Sequence, residues 1–147
     1  MTDTGTGSPE GRPGAPFSGL SHVQLMVADV EVSAAWYREA LGMEGFVEDP
    51  AAGYVALRHR PSRVVIVLTA DSADDRPGPA DRRGALDHLA FAVADPAKLA
   101  AWADHLTAVG IRHHGILLED GRPSLQLVDP DGTAIELVAP APRPGPG

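Results

Sequence analysis

Two stretches of the chain share one pattern of apolar and polar positions. Residues 20–36 read LSHVQLMVADVEVSAAW and residues 86–102 read LDHLAFAVADPAKLAAW, identical at eight of 17 positions when aligned without a gap. Such self-similarity indicates an internal duplication. Each copy begins with a six-residue run bounded by turn-forming residues, which is typical of a strand. In the second copy, apolar residues then recur at three- and four-residue spacing, which predicts an amphipathic helix there and, by the repeat, in the first copy.

The residues that flank the predicted helices suit helix ends. Asp29 and Asp95 stand where the carboxylate of an N-cap accepts from free backbone N–H groups. Pro96 suits the first helical turn, where no N–H is needed. Gly42 and Gly110 are placed to end the two helices, because glycine adopts positive φ without strain.

Three strand-like runs follow each predicted helix. In the first half they lie near 45–48 and at 53–59 and 63–70; in the second half they lie at roughly 113–119, 123–128 and 133–139. The DPDG sequence between the last two has the composition of a tight turn. This order predicts an α+β fold made of two tandem βαβββ modules with a curved mixed, mainly antiparallel sheet.

Composition divides the chain into two modules, a linker and two tails. Residues 1–18, 71–85 and 140–147 are dominated by Gly, Pro and small or charged residues. Such segments bury too little apolar surface to offset the entropy of ordering, so we expect a disordered N-terminal tail, a linker and a disordered C-terminal tail. The modules are predicted to span 19–70 and 86–139.

Charge and composition exclude several classes of function. The net charge of −8 argues against nucleic-acid binding, which depends on clustered Lys and Arg. The chain has no cysteine, which excludes disulfides and thiolate metal sites. It has no apolar run long enough to span a bilayer and no signal-peptide pattern at its start, so we expect no membrane association and a cytoplasmic location.

Polar residues fall on one face of the predicted strands. His88 shares a face with small alanines, His22 shares one with Gln24 and Met26, and Glu136 alternates with apolar residues in the last strand. A single strand histidine or glutamate is usually just a solvent-facing or hydrogen-bonded side chain. Two equivalent histidines and one carboxylate on convergent faces also suit a divalent-metal site, and the pattern alone leaves both readings open.

The motifs around these residues resemble those of the vicinal oxygen chelate superfamily. They are SHVQLMVAD, LDHLAFAVAD and DPDGTAIEL, which contain His22, His88 and Glu136. The superfamily includes glyoxalase I, extradiol dioxygenases, fosfomycin-resistance enzymes and bleomycin-resistance proteins. The resemblance covers about 120 residues and implies two modules around a cleft, a divalent metal held by His22, His88 and Glu136, and a homodimer.

One departure from the glyoxalases affects the expected chemistry. Aligning the last strands of the two modules pairs Glu136 with Val67. The resemblance implies a fourth metal ligand at the Val67 position, where glyoxalase I has a glutamate. A set of two histidines and one carboxylate leaves open coordination positions and suits Fe(II) with O₂. We therefore favour an Fe(II) dioxygenase of an aromatic or other vicinal-oxygen small molecule, with Zn, Ni or Mn as other candidate metals.

Two alternatives stay open. One is a non-redox lyase, isomerase or transferase of the glyoxalase or fosfomycin-resistance type, and the other is a metal-free antibiotic-binding protein. A metal site within one chain would resemble the dioxygenases, whereas a site across a dimer would resemble the glyoxalases. His113 is the candidate acid or base, and Gln24 and Gln126 are candidate substrate contacts; for each, an ordinary polar role is the alternative.

Overall fold

A computed structural model describes residues 19–49, 51, 53–70, 86–142 and 145. The strands are β1 (Val23–Val27), β2 (Glu44–Asp49), β3 (Tyr54–His59), β4 (Val64–Ala70), β5 (His88–Ala92), β6 (Leu117–Glu119), β7 (Arg122–Val128) and β8 (Ala134–Val138), and the helices are α1 (Val30–Leu41) and α2 (Pro96–Ala108). The predicted N-terminal tail 1–18, the linker 71–85 and part of the predicted tail 140–147 lie outside the described residues.

Each module forms its own four-stranded mixed sheet. The strand orders are β1-β4-β3-β2 and β5-β8-β7-β6. In both sheets the first strand pairs in parallel with the last, and the other pairs are antiparallel. The tandem βαβββ prediction is therefore confirmed. The registers are also equivalent, because Gln24 lies opposite Val67 as Ala90 lies opposite Glu136.

The helix ends follow the local sequence. The Asp29 carboxylate accepts from the backbone N–H of Val32 at 3.0 Å, and the Asp95 carboxylate accepts from that of Lys98 at 2.8 Å. Helix α1 ends at Gly42, whose φ of 64° is in the left-handed region. Helix α2 ends one residue before the predicted glycine, since Val109 is its C-cap.

The alternating pattern places the core between the helices and one face of each sheet. Val27 and Val93 are buried at the ends of β1 and β5, and Leu89 and Phe91 pack against the same core. Trp36 and Trp102 are partly buried against it. The other strand face, with His22 and His88, stays exposed.

The sixth strand is shorter than predicted. Strand β6 begins at Leu117, whereas the apolar pattern predicted a strand from about residue 113. Gly115 has a φ of 79°, which breaks the extended backbone. The ring of His113 is also hydrogen-bonded on both sides, by Thr107 of α2 and by the backbone N–H of Gly115. These contacts hold the segment in a loop.

The DPDG turn joins the two modules. Asp131 accepts hydrogen bonds from the backbone N–H of Ala28 at 2.8 Å and from the hydroxyl of Ser33 at 3.1 Å. Tyr37 donates its hydroxyl to Asp129 at 2.8 Å in the buried interior. A turn predicted only from its composition therefore binds the first turns of α1 to the start of β8.

Within the described residues, no helix is long and apolar enough to cross a membrane.

Candidate metal centre

Two of the predicted ligands meet on the exposed face of the second sheet. His88 begins β5, and Glu136 lies on the neighbouring strand β8, opposite Ala90. The His88 Nε2 and Glu136 Oε2 atoms are 3.5 Å apart, and the side chains are 48% and 15% exposed. Ala90 and Ala92 have small, exposed side chains on the same strand face as His88.

A second carboxylate lies behind His88. Asp87 Oδ2 is 2.7 Å from the Nδ1 atom of His88. This hydrogen bond raises the pKa of His88 above its ordinary value; partial desolvation opposes the shift, and the charges of Asp87, Glu136 and Glu119 add to it. The same three carboxylates make this part of the surface favourable for a cation.

A row of polar side chains continues from Glu136 across the sheet. Gln126 lies opposite Glu136 on β7, and its amide donates to Glu119 of β6 at 2.8 Å. The row therefore ends in a further carboxylate on the same face. Sequence reasoning missed Glu119 and Asp87. The available signals were the alternation of Glu119 with Leu118 and the position of Asp87 directly before a predicted ligand.

The third predicted ligand lies elsewhere. His22 directly precedes β1 on the first sheet, is exposed, and has its Nδ1 atom 3.1 Å from the Ser21 hydroxyl. No three His, Asp or Glu side chains in the described part of the chain are grouped so that they could hold a metal ion. The fold of one chain thus brings together His88 and Glu136 but not His22.

The remaining predicted residues divide between the two sheets. Gln24 is exposed on β1 near His22, and Gln126 is exposed beside Glu136. His113 lies in the loop between α2 and β6, with Thr107 Oγ1 2.8 Å from its Nε2 and the Gly115 N–H 3.1 Å from its Nδ1. These contacts hold the loop to α2. They do not support the predicted catalytic role of His113.

The donor pair fits a divalent metal ion. Two ligands each about 2.1 Å from one ion would be roughly 3.0–3.4 Å apart, close to the observed separation of the His88 and Glu136 atoms. Metal-binding histidines commonly donate their second ring N–H to a carboxylate, which is the position of Asp87. Imidazole and carboxylate together suit Zn²⁺, Fe²⁺, Ni²⁺ or Mn²⁺.

The two tandem βαβββ modules agree with the fold of the superfamily named above. Residues 19–137 match the family model of the Glyoxalase/Bleomycin resistance protein/Dioxygenase superfamily. The chain belongs to this superfamily. A search of curated proteins gave no match.

Solved structures show the same fold. A glyoxylase/bleomycin resistance protein/dioxygenase domain from Frankia sp. EAN1pec is 25% identical, with 88% of this chain and 96% of that chain covered and a TM-score of 0.72. A lactoylglutathione lyase from Agrobacterium tumefaciens is 24% identical, with 85% of this chain and 96% of that chain covered and a TM-score of 0.67. A fosfomycin resistance protein from Listeria monocytogenes is 18% identical, with 86% of this chain and 96% of that chain covered and a TM-score of 0.63. The last two likenesses concern the fold alone.

Proposed function

We propose that this protein is a metal-dependent enzyme that binds a small molecule through two neighbouring oxygen atoms. The observation that carries the proposal is the His88–Glu136 pair, with its 3.5 Å separation and with Asp87 hydrogen-bonded to the second ring nitrogen of His88. A divalent ion bound there would supply Lewis-acid activation of a substrate oxygen.

We further propose that His22 of a second copy completes the site in a homodimer. His22 is exposed on the first sheet, and its neighbour Met26 is 55% exposed. Val128 is 62% exposed on the face of the second sheet that carries Glu136. In a homodimer, the His22 face of one chain would pack on the Glu136 face of the other. Both chains would then bury these exposed apolar side chains.

The residues support a non-redox reaction best, as in a lyase, isomerase or transferase. Lyases and isomerases use a group that accepts or returns a proton near the bound substrate, and a carboxylate can serve as that group. Val67 cannot supply it, but Glu119 is on the face that carries Glu136, connected through Gln126. In this proposal Glu119 holds the proton, and the Gln126 amide orients a substrate oxygen.

An Fe(II) dioxygenase is the second candidate. Val67 occupies the strand position equivalent to Glu136 and offers no donor atom. The proposed ligand set is then two histidines and one carboxylate, a set that suits non-haem iron with O₂. Fe²⁺ is the proposed metal for this activity.

Metal binding tests the proposal directly. We expect the wild-type protein, after chelator treatment, to bind about one divalent ion per chain in calorimetric titrations with Zn²⁺, Ni²⁺, Mn²⁺ and, without oxygen, Fe²⁺. His88→Ala should weaken binding at least tenfold, because it removes a ligand. His114→Ala is the matched control, since His114 is exposed and has no hydrogen bond or ion pair with the described residues.

The outcome separates the candidate functions. Oxygen uptake by the Fe²⁺-loaded protein with catechols would favour the dioxygenase. Turnover of a glutathione hemithioacetal or of fosfomycin without oxygen uptake would favour the non-redox reaction. Wild-type protein that binds no metal but binds a glycopeptide antibiotic would overturn the proposal in favour of a metal-free binding protein.

A further inference from the structure

The first sheet contains a pocket rich in arginine. It has a volume of about 510 Å³ and is lined by Phe46, Arg58, Arg60, Arg63 and Val65. Three guanidinium groups around one pocket are unusual in a chain with a net charge of −8. Guanidinium groups remain charged at all physiological pH values and match the geometry of carboxylate and phosphate groups.

The charges in this pocket are only partly compensated. Arg60 pairs with Glu44 at 2.7 Å, with both side chains largely exposed. Arg58 lies over the ring of Phe46, with 4.7 Å from its guanidinium carbon to the ring centroid. Neither Arg58 nor Arg63 pairs with a carboxylate among the described residues. Two cationic groups are therefore free to bind an anion.

Arg63 lies in the turn between β3 and β4 with a left-handed backbone conformation. The β3–β4 hairpin closes with a hydrogen bond from the Arg63 N–H to the His59 carbonyl at 2.8 Å, and Arg63 has a φ of 61°. Glycine normally takes this left-handed position, because a Cβ makes it unfavourable. Residues held in such conformations cluster at ligand-binding sites. Arg63 thus lines the pocket from the turn between β3 and β4.

The pocket lies beside the proposed third ligand. Arg58 is opposite Val65 in the β3–β4 register, and Val23 is opposite Ile66 in the β1–β4 register. Continuing the second register back by one residue places His22 next to Val65. Two strand spacings, about 10 Å in total, therefore separate Arg58 from His22 along the same row of the sheet.

We propose that this pocket binds an anionic group of the substrate, a carboxylate or a related oxyanion, two strand spacings along the sheet from His22, the proposed third ligand. The substrate class is then an anionic small molecule, and Phe46 gives the pocket an apolar wall beside the guanidinium groups. This inference rests on the proposed function, because it assigns the second end of the same substrate.

Benzoate is the probe, and the uncharged benzamide is its matched comparison. Each compound is titrated into the full-length, chelator-treated protein. Binding is followed by the NMR chemical shifts of the protein's backbone amides. We expect benzoate to bind about tenfold more tightly than benzamide, because only the carboxylate forms charge-assisted hydrogen bonds with the guanidinium groups. Arg58→Gln should remove this preference, and Arg112→Gln, an exposed arginine of the other module, should keep it.

Arg63→Gly separates binding from folding. Glycine relieves the left-handed backbone, so the thermal midpoint should stay the same or rise while benzoate binding falls about tenfold. Equal binding of benzoate and benzamide, or unchanged benzoate binding in Arg63→Gly, would overturn the proposal. So would an Arg58→Gln variant that retains benzoate binding but dissociates the dimer, because the arginines would then be interface residues.

Metal titration keeps the two proposals apart. Metal binding without a preference for benzoate would contradict the anion pocket and leave the metal site standing. A benzoate preference that depends on Arg58 and Arg63, in a protein that binds no metal, would contradict the metal site and leave an anion-binding pocket.

Discussion

At the scale of single residues, a buried hydrogen bond joins Tyr37 of α1 to Asp129 of the DPDG turn. Tyr37 is fully buried, and desolvation, followed by the hydrogen bond and charge of Asp129, raises the pKa of the phenol far above its ordinary value. The hydroxyl therefore remains a donor throughout the physiological pH range. It compensates a buried carboxylate that also accepts the N–H groups of Asp131 and Thr133.

Replacing this hydroxyl should destabilise the fold. We predict that Tyr37→Phe lowers the free energy of unfolding by about 1–3 kcal/mol, because a buried carboxylate loses one of its donors. Urea denaturation measures the change. Tyr54→Phe is the control, since Tyr54 is only partly buried on β3 and makes no side-chain hydrogen bond with the described residues. Equal effects of the two substitutions would contradict the prediction.

At the scale of elements, the cap of α2 gives a pH-dependent contribution to stability. The backbone N–H of Lys98, followed by the Lys98 ammonium, lowers the pKa of Asp95 in the folded state. A carboxyl group with a lowered pKa stabilises the fold above its unfolded pKa, and the contribution is lost as the pH falls through the folded pKa.

The substitution Asp95→Ala tests this dependence. We predict a lower thermal midpoint than wild type at neutral pH, and a difference that shrinks as the pH is lowered through the range in which Asp95 is protonated. Thermal melts followed by circular dichroism across this range measure it. Asp104→Ala, an exposed change in the same helix that removes no cap, is the control and should show a small difference. A constant deficit for Asp95→Ala would argue against the cap as its cause.

The elements were largely predictable because their signals are local. Alternation defined the strands, and Asp29 and Asp95 defined the helix starts. The repeat aligned Val67 with Glu136, and the equivalent registers of the two sheets confirm this alignment. The prediction failed at β6, where the left-handed Gly115 and the contacts of His113 interrupt an otherwise apolar run. A backbone break of this kind leaves no trace in periodicity.

At the scale of the whole molecule, alternation could assign His22, His88 and Glu136 to exposed strand faces, but not to one place in space. Their separation depends on how the modules pack, which is set by long-range contacts such as Asp131 with Ala28 and His105 with the Glu39 carbonyl. The same packing leaves both ligand-bearing faces exposed in a single chain, so the proposed site needs a second copy.

Mixed dimers test this arrangement. In a dimer of His22→Ala with His88→Ala, one site combines the intact His22 of one chain with the intact His88 and Glu136 of the other. The second site lacks both histidines. If the subunits of the two variants exchange at random, about a quarter of wild-type sites should be restored, because half of the dimers are mixed and each has one intact site.

Metal binding per chain, measured after co-refolding of the two variants, gives this fraction. Each variant alone should bind metal at least tenfold more weakly than wild type, since every site then lacks a ligand. Mixing His88→Ala with Glu136→Gln is the control: both changes are on the second sheet, so no exchange of chains can rebuild a complete site. Restoration in the control as well, or none in the His22→Ala mixture despite proven subunit exchange, would mean that the ligands do not come together across two chains.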